Sequence, residues 1–199
     1  MCVTKNAGRL GSVSDGAMEM ANEVGLNLRM ILTHEDIAPG ADAPVEDRRG
    51  LVGCVPLYKV AGAAAEAGKS LDEVYAIAER FNDNMATLAV AMKIATHPQN
   101  GAGIGSFADD EMEIGMGQHG EAGTGPCKIM FAEETAKVMV ERLIAVIGAA
   151  GGDKVLLLVN GSGTTTHMEM FLIYRDARKI LADAGLETAC SMVGEYLTV

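Results

Sequence analysis

VLLLVNGSGTTTHMEMFLIYRDARKILADAGLETACSMV, residues 155–193, decides the fold class. Its first five residues are apolar and uncharged, the composition of a short buried strand. Asn160–Thr166 supplies glycines and hydroxyl side chains, which predict a tight turn running into a helix from about Thr166 to Ala184, closed by Gly185. TACSMV is then a last strand, so strand, turn, helix and strand succeed one another in the order of an α/β protein.

Upstream, Ala136, Met139, Val140, Leu143 and Ile147 fall at helical spacing and predict a helix over 132–149, ended by Gly151 and Gly152. EMEIGMG, 111–117, alternates acids with Met112, Ile114 and Met116, which predicts a strand whose charged face meets solvent or a site. TLAVAMKIA, 87–95, is expected to be a buried strand, followed by a glycine-rich loop in HPQNGAGIGSF.

At the other end, MCVTK predicts a strand and Asp15 the cap of a helix reaching about Val24. Leu26, Leu28, Met30 and Leu32 alternate along a second strand. HEDIAPGADAPVEDRRG mixes Pro39, Gly40 and Pro44 with five acids and is expected to be a surface loop outside any core. A helix over Val55–Ala67 follows. Ser70 and Glu73 then form an S-x-x-E capping box for a helix over Leu71–Phe81. The fold expected is therefore α/β: residues 1–84 as the remnant of a Rossmann-like half-domain, and residues 85–199 as a mixed α+β domain with a mainly buried sheet.

A chain of 199 residues can bury most of its apolar surface without staples. Cys2, Cys54, Cys127 and Cys190 stand far apart with no CxxC, which fits a reducing cytoplasm better than a disulfide framework. A net charge of −11 opposes nucleic acid and anionic lipid, and no apolar run approaches the roughly 18 residues of a membrane span. With 4% aromatic residues and no Trp, stacking platforms are scarce, and recognition falls to the backbone and small polar groups.

Gly115, Gly117 and Gly120 spell G-x-G-x-x-G, but EAGTGP follows instead of a helix, so the pyrophosphate cradle of a dinucleotide site is not expected. The same glycines serve another purpose: without Cβ atoms they let a small ligand approach His119. Around His119 lie Asp109, Asp110, Glu111, Glu113 and Glu121, any of which could hold one ring N–H and leave the other nitrogen free as a nucleophile. Against a carbonyl that nitrogen gives a tetrahedral hemiaminal. The alternative is a solvated loop histidine. NGSGTTT could bind an anion through backbone N–H groups or be simply a turn with an N-cap, and the second is the simpler account of His167. His34 and His97 have no metal-ligand spacing and are expected at the surface; no metal site is expected.

RRGLVGCVPLYKVAGAAAEAG, DDEMEIGMGQHGEAG, LLVNGSGTTTHME and GEYLTV together resemble the substrate-binding subunit of dihydroxyacetone kinases across nearly the whole chain. The resemblance implies that His119, in G-x-G-x-H-G-E, binds the ketone of dihydroxyacetone or a similar short ketose covalently as a hemiaminal, with Gly117 and Gly120 beside it. It implies Lys5 as a substrate contact, from the K-N of K-N-Y-T-G-D. It further implies glycerone kinase activity in which a separate nucleotide-binding subunit supplies ADP or ATP with magnesium, no cofactor being held by this chain, and a homo-oligomeric assembly.

Two departures stand out. Aligned without gaps, Leu10 occupies the catalytic aspartate position of K-N-Y-T-G-D, a gap would bring Asp15 there although that residue is better explained as a helix cap, and nothing matches the family's upstream G-S-G-H-E-P loop. Hence two alternatives: half of a split subunit completed by a separate chain, or a non-catalytic ketose-binding regulator or scaffold.

Overall fold

The computed structural model describes residues 2–4, 11–40, 43–104, 108–118 and 120–198, without the side chains of 2–4, 11–15, 46 and 104. The chain divides into two compact units, Met1–Thr87 and Leu88–Val199.

The first unit opens with β1 (Cys2–Thr4), α1 (Gly11–Glu23) and β2 (Ile31–Thr33), the two strands pairing in parallel with Cys2 opposite Ile31. Because α1 begins at Gly11, Asp15 lies inside the helix and is not its cap. Gly11 and Ser12 are weak helix formers but tolerable in a first turn, whose N–H groups have no intrahelical partners in any case. β2 starts later than the alternation of leucines predicts. Gly25, at φ 74°, donates to Asn22 O, and the Leu26 N–H reaches back to Ala21 O, so Leu26 is spent closing α1 in a Schellman arrangement.

The acid-rich segment after β2 is not a surface loop throughout. Glu35 and Asp36 are fully buried and Arg49 nearly so. Asp36 Oδ2 accepts from Arg49 Nε at 2.6 Å, and its Oδ1 accepts from the Ala38 N–H. Glu35 Oε1 accepts from the N–H groups of Leu51 (2.6 Å) and Gly53 (2.9 Å). Composition misleads here because charges that neutralise each other and cap backbone donors can be buried together. Thr87 closes the unit: its N–H donates to Glu35 O, and its carbonyl accepts from Ile37 N.

Helices α2 (Cys54–Glu66) and α3 (Leu71–Asp83) follow the sequence expectation closely. Ser70 Oγ accepts from Glu73 N, while Glu73 Oε2 accepts from Ser70 N, the reciprocal box read from S-x-x-E. Cys54, Pro56, Leu57 and Ala64 are buried on α2 and Ala78 and Asn82 on α3, and Asn82 Nδ2 donates to Leu32 O, tying α3 to β2. That amide also lies 3.1 Å from His34 Nδ1, so His34 is partly buried rather than a free surface residue.

In the second unit the expected strand over 87–95 is broken in two. β3 (Val90–Ala91) pairs with β6 (Glu111–Ile114), and β4 (Ala95–Thr96) forms an antiparallel pair with β5 (Gly103–Ile104), leaving Met92 half exposed between them. β6 also pairs with β7 (Pro126–Lys128), a strand the sequence does not announce. α4 (Ala132–Ile147) stops at Gly148, φ 71°, before the glycines expected to end it. β8 (Lys154–Ser162), α5 (His167–Asp183) and β9 (Glu187–Thr198) complete the unit, β8 and β9 pairing in parallel. Val140, Ala177, Leu181 and Leu186 form its core, with Val155 and Leu157 of β8 packed against it. Leu156, on the other side of the strand, is 39% exposed, so within this unit the VLLLV strand is covered on one face only. No helix among the described residues is long and apolar enough to cross a membrane.

Candidate functional site

His119 lies outside the described residues, as do Lys5 and Leu10. The loop that carries His119 is nevertheless defined on both sides. β6 delivers it: Gly115 N donates to Ala89 O, and Gly115 itself sits at φ 83°, a conformation in which L side chains are strained. The Gly117 N–H donates to Glu121 O at 2.7 Å, and the Gly120 N–H returns to Gly117 O at 3.0 Å, so the described residues on either side of position 119 are tied to each other. Gly120, at φ 83°, is the second place where this loop needs a glycine.

The far side of the loop is locked onto β6. A Cβ on Gly123 would lie 2.5 Å from the Gly115 carbonyl carbon and 2.6 Å from Met116 N, so only glycine allows that approach. Gly123 N donates to Glu113 Oε1 at 2.6 Å, and Thr124 uses both its N–H and its hydroxyl on Ile114 O. Glu113 is consequently buried together with Met112 and Ile114, and β6 does not present the alternation of wet and dry faces that EMEI suggests. Of the other acids, Asp110 is paired with Lys128 at 2.6 Å, which holds its carboxyl below the ordinary range, and Glu111 accepts from Ala108 N.

A second loop comes in from β8. Asn160–Thr166 ends in an N-cap, Thr166 Oγ1 accepting from Glu169 N while Glu169 Oε2 accepts from Thr166 N, and His167 is simply the exposed first residue of α5. The Gly163 N–H, one of the donors that could have met an anion, is already bonded to Glu195 Oε2 at 2.7 Å. The turn reading is therefore the one the geometry supports. Ser162 stands at φ 54°, the one non-glycine with positive φ among the described residues.

The third element is the end of β9. Gln118 Nε2 donates to Thr198 O, and Asn160 Nδ2 donates to Leu197 O. Three of the stretches singled out in the sequence, GMGQHGEAG, NGSGTTTHME and GEYLTV, thus converge at one edge of the second unit. Sequence reasoning missed Asn160, Gln118 and Glu195, because their partners are set by strand pairing and not by spacing. Among the described residues no group of three His, Cys, Asp or Glu side chains could hold a metal ion. The three cysteines whose side chains are described, Cys54, Cys127 and Cys190, are free thiols, and the first is buried, with burial pushing its pKa up.

The model of the Dak1 domain matches residues 14–199. The chain belongs to the Dak1 domain family. The dihydroxyacetone-binding subunit DhaK of a PTS-dependent dihydroxyacetone kinase from Listeria innocua is 37% identical to this Dak1 chain over 182 residues, 92% of this chain and 55% of that one. A coactivator of the DhaKLM operon, DhaQ of Lactococcus lactis, is 33% identical over 92% of this chain and 56% of its own length. A solved dihydroxyacetone kinase operon co-activator superposes with a TM-score of 0.90 at 30% identity, covering 99% of this chain and 61% of that one. This Dak1 chain spans about half the length of the curated relatives it matches.

Proposed function

We propose that this chain binds dihydroxyacetone or a similar short ketose at the Gly115–Gly123 loop, holding it covalently on His119 for phosphorylation by a kinase assembly. The observation that carries this reading is the convergence of the His119 loop, the β8–α5 turn and the end of β9, seen together with similarity to a subunit named for binding dihydroxyacetone.

In this reading the neutral imidazole nitrogen of His119 attacks the ketone carbon. A C–N bond forms, the carbonyl π pair moves to oxygen, and that oxygen takes up the proton released through solvent from the other ring nitrogen. Nothing leaves, so the adduct is a tetrahedral hemiaminal. Gly117 and Gly120 keep side chains away from the sugar, and Lys5 contributes a donor to its hydroxyls. One anchored carbon then leaves a terminal hydroxyl to face the phosphoryl donor. The sequence has no G-x-x-x-x-G-K-[ST], and ADP or ATP with magnesium is assigned to a nucleotide-binding partner subunit, in a homo-oligomeric assembly.

Leu10 favours a second reading, a ketose-binding regulator, since leucine cannot take the proton that the family's aspartate takes. The high structural similarity to a co-activator agrees with it. Intact-mass measurement in millimolar dihydroxyacetone tests the shared part: the chain should gain the full mass of one triose, reversibly, whereas a lysine Schiff base would weigh one water less. Glycerol should give nothing, and His119→Ala should abolish the adduct; an undiminished adduct in that variant refutes the assignment. Ketose kinase turnover with a nucleotide-binding subunit supports the kinase reading and refutes the non-catalytic regulator.

A further inference from the structure

β8 and β9 pair from Lys154 opposite Glu187, slip by one residue after Val155, run in register from Leu156 opposite Cys190 to Asn160 opposite Gly194, then slip again, and the next pair is Ser162 opposite Thr198. Between those pairs β8 spends only Gly161 while β9 spends Glu195, Tyr196 and Leu197. A bulge of that kind strands backbone donors and acceptors that the ladder would otherwise satisfy. One side chain takes them over. Asn160 Oδ1 accepts from Tyr196 N (2.8 Å) and Leu197 N (3.0 Å), and its Nδ2 donates to Leu197 O (2.7 Å) and Ser162 Oγ (3.0 Å). All of the amide's directional capacity is thus spent on the bulge and on the β8–α5 turn.

Glu195 braces the same bulge through the β8–α5 turn. Its Oε2 accepts from Gly163 N, and its carboxyl carbon lies 2.8 Å from where a Gly161 Cβ would be, so the carboxylate fills the space that glycine leaves. The next residue but two on β9 is Thr198, whose carbonyl accepts from Gln118 Nε2. Gln118 is the neighbour of His119 in the chain and the inner residue of the turn closed by Gly120 on Gly117.

From this we infer that Asn160 and Gln118 are positioning residues for the His119 loop: Asn160 fixes the bulged end of β9, and that end presents Thr198 O as the anchor to which Gln118 ties the loop. The inference rests on the proposed ketose binding for its purpose, though not for its geometry. It accounts for why a fully satisfied asparagine follows the VLLLV run and why the family-like GEYLTV segment lies beside the histidine loop. Neither residue touches the reacting atoms. Their contribution is to restrict where the loop sits before the sugar arrives, so that the ordering is not charged against binding.

The test uses the full chain, as wild type, Gln118→Leu, Asn160→Ala and Asn160→Asp, the last retaining the acceptor while replacing the Nδ2 donor with a carboxylate oxygen that faces the Leu197 carbonyl. Amide exchange at Gly117 and Gly120 is measured against amides in the middle of β8, and the dihydroxyacetone adduct is titrated by intact mass. Losing one net hydrogen bond predicts exchange roughly tenfold faster at the two glycines in Gln118→Leu, and losing both Nδ2 bonds predicts at least as large an effect in Asn160→Asp, with β8 unchanged, and an adduct roughly tenfold weaker. Unchanged exchange at Gly117 and Gly120 in both variants overturns the tether. Faster exchange with an unweakened adduct overturns its positioning role. If the wild type forms no adduct, the covalent reading of His119 fails separately, and the exchange result still decides whether Asn160 and Gln118 hold the loop.

Discussion

Replacing Gly123 by alanine puts the densest part of the candidate site under load. The new methyl would lie 2.5 Å from the Gly115 carbonyl carbon and 2.6 Å from Met116 N, and closer still to Ile114 O, all backbone atoms that no rotamer change can move aside. Relief requires β6 and the 123–124 segment to separate. That breaks the 2.6 Å bond from Gly123 N to the Glu113 carboxylate and the two Thr124 bonds to Ile114 O. A bond to a charged group is worth about 1.5–3 kcal/mol and each neutral one about 0.5–1.5 kcal/mol, so with partial relaxation the expected loss is about 3–5 kcal/mol. Gly125→Ala is the internal control: its φ is +89° but nothing lies within 4 Å, leaving only the left-handed backbone cost of about 1–2 kcal/mol. Urea unfolding of both variants against wild type measures the difference. Equal destabilisation of the two, or a Gly123→Ala loss under about 1 kcal/mol, would refute the close approach of residue 123 to β6.

Burial raises the Glu35 pKa, so its proton is bound more tightly in the folded than in the unfolded chain. The stabilising preference is full below the ordinary carboxylate range and is lost as pH rises through the folded value; Glu35→Gln, which keeps an acceptor for Leu51 N and Gly53 N, should therefore gain on wild type as pH rises above the ordinary carboxylate range in urea unfolding, and a pH-independent gap contradicts this. Arg49→Met leaves Asp36 buried without its cation and should cost about 3–5 kcal/mol, read from the same unfolding curves. Thr166→Ala removes the α5 cap and should cost about 1 kcal/mol, with a drop in melting temperature of a few degrees; no change would mean that Glu169 caps alone.

Local chemistry was legible where it is complete within a few residues. Ser70 with Glu73, and Thr166 at the head of α5, sit where the sequence puts them because a capping box needs only residues three apart. Gly148 ends α4 ahead of Gly151 because the first glycine that can turn left-handed stops a helix, whatever follows it. Pro126–Lys128 gave no strand signal, being three residues with a proline at an edge, and its pairing to β6 depends on the turn through Gly123. Glu35, Asp36 and Arg49 looked like solvated charges; their burial depends on partners thirteen to eighteen positions away, which composition cannot see. The family resemblance located the candidate loop around His119, but not the bulge in β9 on which Asn160 acts, since a register shift is a property of two strands at once.

The parallel pairing of β8 with β9 also bears on how the chain is made. Lys154 waits for Glu187, and the core of the second unit closes only when Leu186 arrives. At roughly 5–20 residues per second, synthesis leaves the Val155–Val159 strand without its neighbour for some seconds, with α5 emerging meanwhile to cover one of its faces. During that interval an unpaired apolar edge is on offer to any other nascent strand, and a ribosome that stalls between residues 163 and 186 should release the chain into aggregates or onto a chaperone instead of into solution.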